Sequence, residues 1–216
     1  MSINIKGTII QDAQKWVYDY FGMPATCPAD VISGLEAAAG QDVDIYINSG
    51  GGEIFAGSEI YTAIRNYSGK ARIHVTGLAA SAASVILCAA ESDITPTGMV
   101  MIHNVSSYAS GDYQDMQHEA EVLETASRAL RNAYVQKTGR SDEEFKTLMD
   151  QEKWFTAQEA VDMGLCDRVA GDGMQLVAAM SPVIPEAVID KMTAERHKKE
   201  MEAAASRFEV LKEVQI

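Results

Sequence analysis

Basic residues are the scarce class in this chain: 18 Lys and Arg stand against 31 Asp and Glu in 216 residues, a formal net charge of −13. That balance argues against a protein that tracks nucleic-acid phosphates, and it acts mainly on solubility. Cysteine is scarcer still. Cys27, Cys88 and Cys166 are odd in number, widely spaced and without a Cys or His neighbour at metal-ligand spacing, so neither a disulfide framework nor a metal site is expected. A reduced, cytoplasmic compartment fits this usage. No apolar run follows a basic segment at Met-Ser-Ile-Asn-Ile-Lys-Gly, so no secretory leader is expected. The longest low-charge stretch, residues 73–90, contains His74, Thr76 and Gly77 and is rich in alanine rather than leucine; it reads as a strand and a buried helix, not a membrane span. The glycine run after Ser49 is not followed by Gly-Lys-Ser or Gly-Lys-Thr, and no acidic residue lies beyond it at dinucleotide spacing. No nucleotide, metal or other cofactor is therefore called for.

What remains is a chain that is 47% hydrophobic, enough for one sizeable core. Ile3, Ile5, Thr8 and Ile9 predict an opening strand, and Pro28 opens a helix with Gly40 beyond its end. Val43-Asp-Ile-Tyr-Ile-Asn predicts a second strand closed by the Ser49-Gly-Gly-Gly turn, and residues 53–67 carry Ile54, Ser58, Tyr61 and Ile64 at helical spacing. Residues 71–76 read as a strand ended by Gly77, and residues 78–90 as a helix of small side chains. A strand ending in Val100-Met-Ile-His follows, then a long helix from about Gly111 to Gly139. Ser141-Asp-Glu-Glu and Thr156-Ala-Gln-Glu have the form of capping boxes at the starts of two shorter helices. Strands alternating with helices imply an α/β domain with largely parallel pairing over residues 1–170. Glycines and prolines mark a linker at 171–185, and residues 186–216 read as a charged helical tail whose loose apolar stripe (Val188, Met192, Phe208, Leu211) calls for a partner chain.

Ser81 follows a predicted strand and falls in the first turn of a predicted helix, where backbone N–H groups and the dipole's positive end can meet a developing oxyanion. Composition alone favours a packing role for it, as for Ser84 a turn deeper. A serine hydroxyl needs a base, and there are four histidines to choose from. His103 ends an apolar strand; His74 lies within a strand, and His118 and His197 fall on charged helices. The glycines after Ser49 can offer amides at close approach.

Taken together, these segments resemble the Clp-type peptidases (the ClpP family) and their viral relatives, the head maturation proteases of tailed bacteriophages. Tyr46-Ile-Asn-Ser-Gly-Gly-Gly is similar to the family's Tyr-Ile-Asn-Ser-Pro-Gly-Gly loop, Gly77-Leu-Ala-Ala-Ser to its nucleophile segment and Met101-Ile-His to its base segment. Trp154-Phe-Thr-Ala-Gln-Glu-Ala-Val-Asp-Met-Gly-Leu-Cys-Asp is the fourth match, and the likeness runs from about Asp44 to Val169. The resemblance implies the ββα superhelix shared with crotonases, Ser81 as nucleophile and His103 as general base. It places Glu152 where the family has the aspartate that orients the base, with Asp150 the rival. Gly51 or Gly52 and Ala82 would supply the oxyanion N–H groups, and Gly50 replaces the family's proline. It also implies a homo-oligomeric ring or stacked rings.

The aromatic cluster at Trp16–Phe21, Gly57-Ser-Glu-Ile-Tyr and the charged tail favour the phage members. The expected task is then endoproteolysis of scaffold or capsid protein in the host cytoplasm or inside a prohead, with self-cleavage in the 171–186 segment. The alternatives are the proteolytic subunit of an ATP-dependent Clp protease fed by an unfoldase, a catalytically silent scaffold subunit, and a crotonase-type acyl-CoA enzyme. The Ser81/His103 pairing gives the last no use.

Overall fold

In a computed structural model of the chain, residues 1–171 and 184–199 are described. In chain order they form β1 (Ser2–Ile9), α1 (Lys15–Tyr20), β2 (Ala25–Thr26), α2 (Pro28–Ala38), β3 (Val43–Gly52), α3 (Ile54–Arg65), β4 (Ala71–Ala80) and α4 (Ala82–Leu87). There follow β5 (Glu91–Ile94), β6 (Met99–Ile102), α5 (Tyr113–Thr138), α6 (Asp142–Asp150), β7 (Lys153–Thr156), α7 (Ala157–Asp162) and β8 (Arg168–Val169). Residues 186–199 form a further helix, α8.

The core grows from period-two strands. Val43, Ile45 and Ile47 on β3 and Ile73 and Val75 on β4 are fully buried, whereas Asp44, Tyr46 and His74 between them are half-exposed. Val31 and Leu35 of α2 and Ile60 and Ile64 of α3 close over the buried face. Each such fully buried aliphatic side chain contributes about 1.5–3 kcal/mol. The strand order β2-β1-β3-β4-β5-β8 is parallel throughout, as the alternating pattern predicts.

Beyond Gly77 the sheet forks. The first half of β4 pairs with β5 and its second half with β6, Ala80 lying opposite Met101. The side chain of Asn48 makes the fork: its Oδ1 accepts from the Leu78 N–H at 3.2 Å, and a Cβ on Gly77 would come within 2.7 Å of it. β6 in turn pairs antiparallel with β7.

Several boundaries differ from the expectations. β3 runs through the glycines, because Gly51 and Gly52 pair with Thr8 and Ile9 of β1 instead of turning. β4 continues through Gly77 to Ala80, so the small-residue helix shrinks to Ala82–Leu87. β5 and β7, each four residues long, are strands beyond those the pattern predicts. Thr156 makes the full capping box with Glu159, whereas Ser141 accepts from the Glu144 N–H but Glu144 turns its carboxylate to Arg140 at 2.7 Å. In the tail, α8 packs in part on the chain itself, while Val188 of the expected apolar stripe is exposed. Ile184 and Ile189 are buried with Ile10, Val17, Tyr18 and Cys27, Met192 packs on the same cluster, and the Arg196 guanidinium lies 4.6 Å from the Trp16 ring centre. Phe208, Leu211 and most of the 171–185 linker, the expected self-cleavage segment included, lie outside the described residues.

Candidate active site

Ser81 occupies the one-residue step between β4 and α4, with φ 54° and ψ −126°. A side-chain-bearing residue held there costs about 1–3 kcal/mol, which the surroundings must offset. They do so from both sides: the Ser81 N–H donates to the Met101 carbonyl at 3.0 Å, and its own carbonyl accepts from the Ser84 N–H at 2.9 Å and the Ser84 hydroxyl at 2.6 Å. Gly51 completes the fit. With φ at 93° it crosses so close that a Cβ there would lie 2.6 Å from the Ser81 Cβ. The result turns the Ser81 hydroxyl outward from a buried backbone.

The fork in the sheet brings His103 to Ser81. Met101 sits beside Ala80, so His103, one residue past the end of β6, reaches back over the turn and places Nε2 2.8 Å from Ser81 Oγ. The other histidines are elsewhere. His118 and His197 are exposed on helices, and His74 is held between Asp93 (2.8 Å) and Asp44 (3.3 Å) while stacked on Tyr46. That makes His74 a structural link between strands.

The two candidate carboxylates fare differently. Asp150, at the end of α6, accepts from Asn104 at 2.7 Å and from Lys146 at 3.2 Å. The Asn104 amide, then the ammonium, hold its carboxyl below the usual aspartate range. It therefore tethers Asn104, the residue after His103, and does not bond the imidazole. Glu152 is exposed and makes no hydrogen bond to His103 in this conformation. Its position is nonetheless telling. The β6–β7 ladder ends with Ile102 opposite Lys153, and one more step in that antiparallel register sets His103 opposite Glu152. Glu152 has left-handed φ at 49°, which ends the ladder there.

Of the expected oxyanion donors, Ala82 is the first residue of α4, so its N–H has no intrahelical acceptor. Gly51 is committed: its N–H donates to Ser49 Oγ at 3.1 Å, and that hydroxyl donates to the Gly7 carbonyl at 2.6 Å. Gly52 backs onto β1, where a Cβ would fall 2.1 Å from the Ile9 carbonyl oxygen. A cavity of about 60 Å³ opens beside Ser81 and His103, lined mainly by Ile54, Val85, Leu130, Tyr134 and Met149. Sequence reading missed these lining residues as such. On α5 and α6 their spacing is that of any core-facing apolar residue, and only the tertiary fold turns them toward Ser81.

A serine and a histidine in hydrogen-bond contact at adjacent strand ends, beside a helix N-terminus and a small pocket of mixed polarity, make a serine-hydrolase arrangement. Comparison with known proteins gives the family. The chain belongs to the Clp protease family, a family of serine endopeptidases: the model of that family, Clp protease, matches residues 29–173. The ATP-dependent Clp protease proteolytic subunit 1 of Chlamydia muridarum is 37% identical over 136 residues, covering 60% of this chain and 70% of that protein. The corresponding subunit of Bacteroides fragilis is 35% identical over 133 residues, covering 60% of this chain and 64% of that one. A solved structure of a ClpP1 point mutant from Listeria monocytogenes superposes with a TM-score of 0.65 at 24% identity, covering 79% of this chain and 91% of that one. The fold is thus the ClpP-like one.

Proposed function

We propose that this chain hydrolyses peptide bonds in scaffold or capsid protein, as a head maturation protease of a phage or prophage. The observation that carries the proteolytic part is the 2.8 Å contact between His103 Nε2 and Ser81 Oγ. Ser81 attacks the scissile carbonyl; His103 takes its proton and returns it to the leaving amine. Glu152, opposite His103 by register, swings its side chain in to bind Nδ1–H and stabilise the imidazolium. The tetrahedral oxyanion is received by the Ala82 N–H. A second donor comes from Gly52, or from Gly51 once its N–H exchanges Ser49 Oγ for the substrate oxygen. The 60 Å³ cavity suits one apolar substrate side chain beside the scissile bond. The chemistry asks for no metal, and none of the described residues forms a cluster of three or more ligands.

The phage assignment is supported by the motifs at Gly57-Ser-Glu-Ile-Tyr and Gly77-Leu-Ala-Ala-Ser and by the aromatic segment at Trp16, against which the tail helix packs. A peptidase domain over 1–170 would carry the 171–185 linker and a scaffold-like tail. A homo-oligomeric ring is proposed because ClpP-like proteins form such rings, and a cytoplasmic site because the family works there. Among the described residues, no helix is long and apolar enough to cross a membrane. The names of the relatives favour the second reading, the proteolytic subunit of an ATP-dependent Clp protease. Incubation of the purified protein with capsid precursor and scaffold, without ATP, separates the two. Discrete cleavage lost in Ser81→Ala supports maturation; cleavage only with an added ATP-dependent unfoldase supports turnover; no serine labelling by a fluorophosphonate in either case leaves a silent scaffold subunit.

A further inference from the structure

The strained turn at Ser81 is fastened from a direction that the reaction itself does not require. Ser84, fully buried one turn into α4, places its hydroxyl 2.6 Å from the Ser81 carbonyl and 2.7 Å from the hydroxyl of Tyr134 on α5. The donors follow by elimination. A carbonyl can only accept, so the single hydroxyl hydrogen of Ser84 goes to Ser81, and Tyr134 must donate to Ser84. Tyr134 is itself buried, stacked on Phe145 of α6, and is among the residues lining the cavity beside Ser81. Burial pushes its hydroxyl up from the usual tyrosine range, so it stays a protonated donor at any working pH. Among the described residues no buried side-chain polar atom lacks a partner, so the chain of bonds is complete.

We propose that Tyr134 and Ser84 are positioning residues for the nucleophile: a directed relay, Tyr134 O–H to Ser84 O–H to the Ser81 carbonyl, holds the backbone of Ser81 at positive φ and so aims its hydroxyl at His103. This rests on Ser81 being the nucleophile. The relay also ties that aim to the substrate pocket, because the ring that fills the cavity wall is the ring that starts the relay. A substrate side chain that shifts Tyr134 changes the Ser81 turn through two hydrogen bonds. Energetically the device is cheap to break and specific in its effect: each link is one buried hydrogen bond, and both lie behind the reacting atoms rather than on them.

The test uses Tyr134→Phe and Ser84→Ala, each of which removes a single oxygen, in the full-length protein. Turnover of a capsid-derived peptide is measured per labelled active site, alongside amide hydrogen exchange over residues 78–88. The relay predicts a kcat lower by about tenfold in each variant with KM unchanged, and faster exchange at Ser84 and Val85, whose N–H groups bond the Ser81 carbonyl. The double variant should be no worse than the poorer single one, since both cut the same relay. Unchanged kcat with unchanged exchange overturns the proposal, as does a rise in KM with kcat unchanged, which would make Tyr134 a pocket wall and nothing more. Should the parent protein neither turn over nor label, the protease reading falls, and the exchange at Ser84 and Val85 alone decides for or against the relay.

Discussion

The turn that carries Ser81 and the turn that carries Glu152 both hold a residue at positive φ, at 54° and 49°, yet they are built in opposite ways. The groups that hold the Ser81 backbone are buried: Gly51 presses on it from β3, Met101 accepts its N–H, and Ser84 holds its carbonyl. The Glu152 turn is exposed and held chiefly by the β6–β7 ladder beyond it, with the Glu152 N–H bonded back to Met149 at 3.1 Å. Strain locked into a core fixes one geometry, whereas strain on a surface leaves the side chain to choose among rotamers. Ser81 is therefore placed by the fold, whereas the role proposed for Glu152 depends on a side-chain rotation.

The largest effect is expected from removing Ser81 or His103 itself. Ser81→Ala or His103→Ala should lower kcat by about 10⁴-fold or more, read on a fluorogenic peptide, with the thermal midpoint little changed. Gly51→Ala comes next. It forces a Cβ against Ser81 at a φ that alanine resists, so it should destabilise the protein by about 1–3 kcal/mol in urea melts and cut activity by about 100-fold. Glu152→Gln should cost less, about 10- to 100-fold in kcat, because its placement rests on a side chain that must swing in. If Asp150→Asn proved worse than Glu152→Gln, the roles of the two carboxylates would be exchanged.

Asp150 gives the smallest effect, and one that depends on pH. Its carboxyl is held low by Asn104 and Lys146, so its contribution is present above the unfolded aspartate value and lost as pH falls through the lower folded value. The stability difference between parent and Asp150→Asn should therefore be seen at neutral pH and close below about pH 4, in urea melts across that range.

How much of this could be read in advance follows the same divide. The contact between Ser81 and His103 was legible because two short motifs, Gly77-Leu-Ala-Ala-Ser and Met101-Ile-His, resemble the nucleophile and base segments of one family. The helix starts at Pro28 and Thr156 were legible from capping chemistry alone. Gly77 misled because a glycine usually ends a strand; here it makes room for Asn48, and the strand forks instead of stopping. The Ser49 glycines misled likewise, since their pairing with β1 is a tertiary contact. Glu91-Ser-Asp-Ile and Lys153-Trp-Phe-Thr are four-residue strands, too short for a period to show. That Gly51 spends its N–H on Ser49, and that Asp150 tethers Asn104, depend on side-chain directions no spacing encodes.

The account stands most directly on the pairing of Ser81 with His103. Mass-spectrometric mapping of a fluorophosphonate adduct tests it on the parent protein and on His103→Ala. The account predicts a single adduct, on Ser81, that is lost or slowed by orders of magnitude without His103. Labelling at another serine, or labelling of Ser81 that proceeds undiminished in His103→Ala, would contradict it.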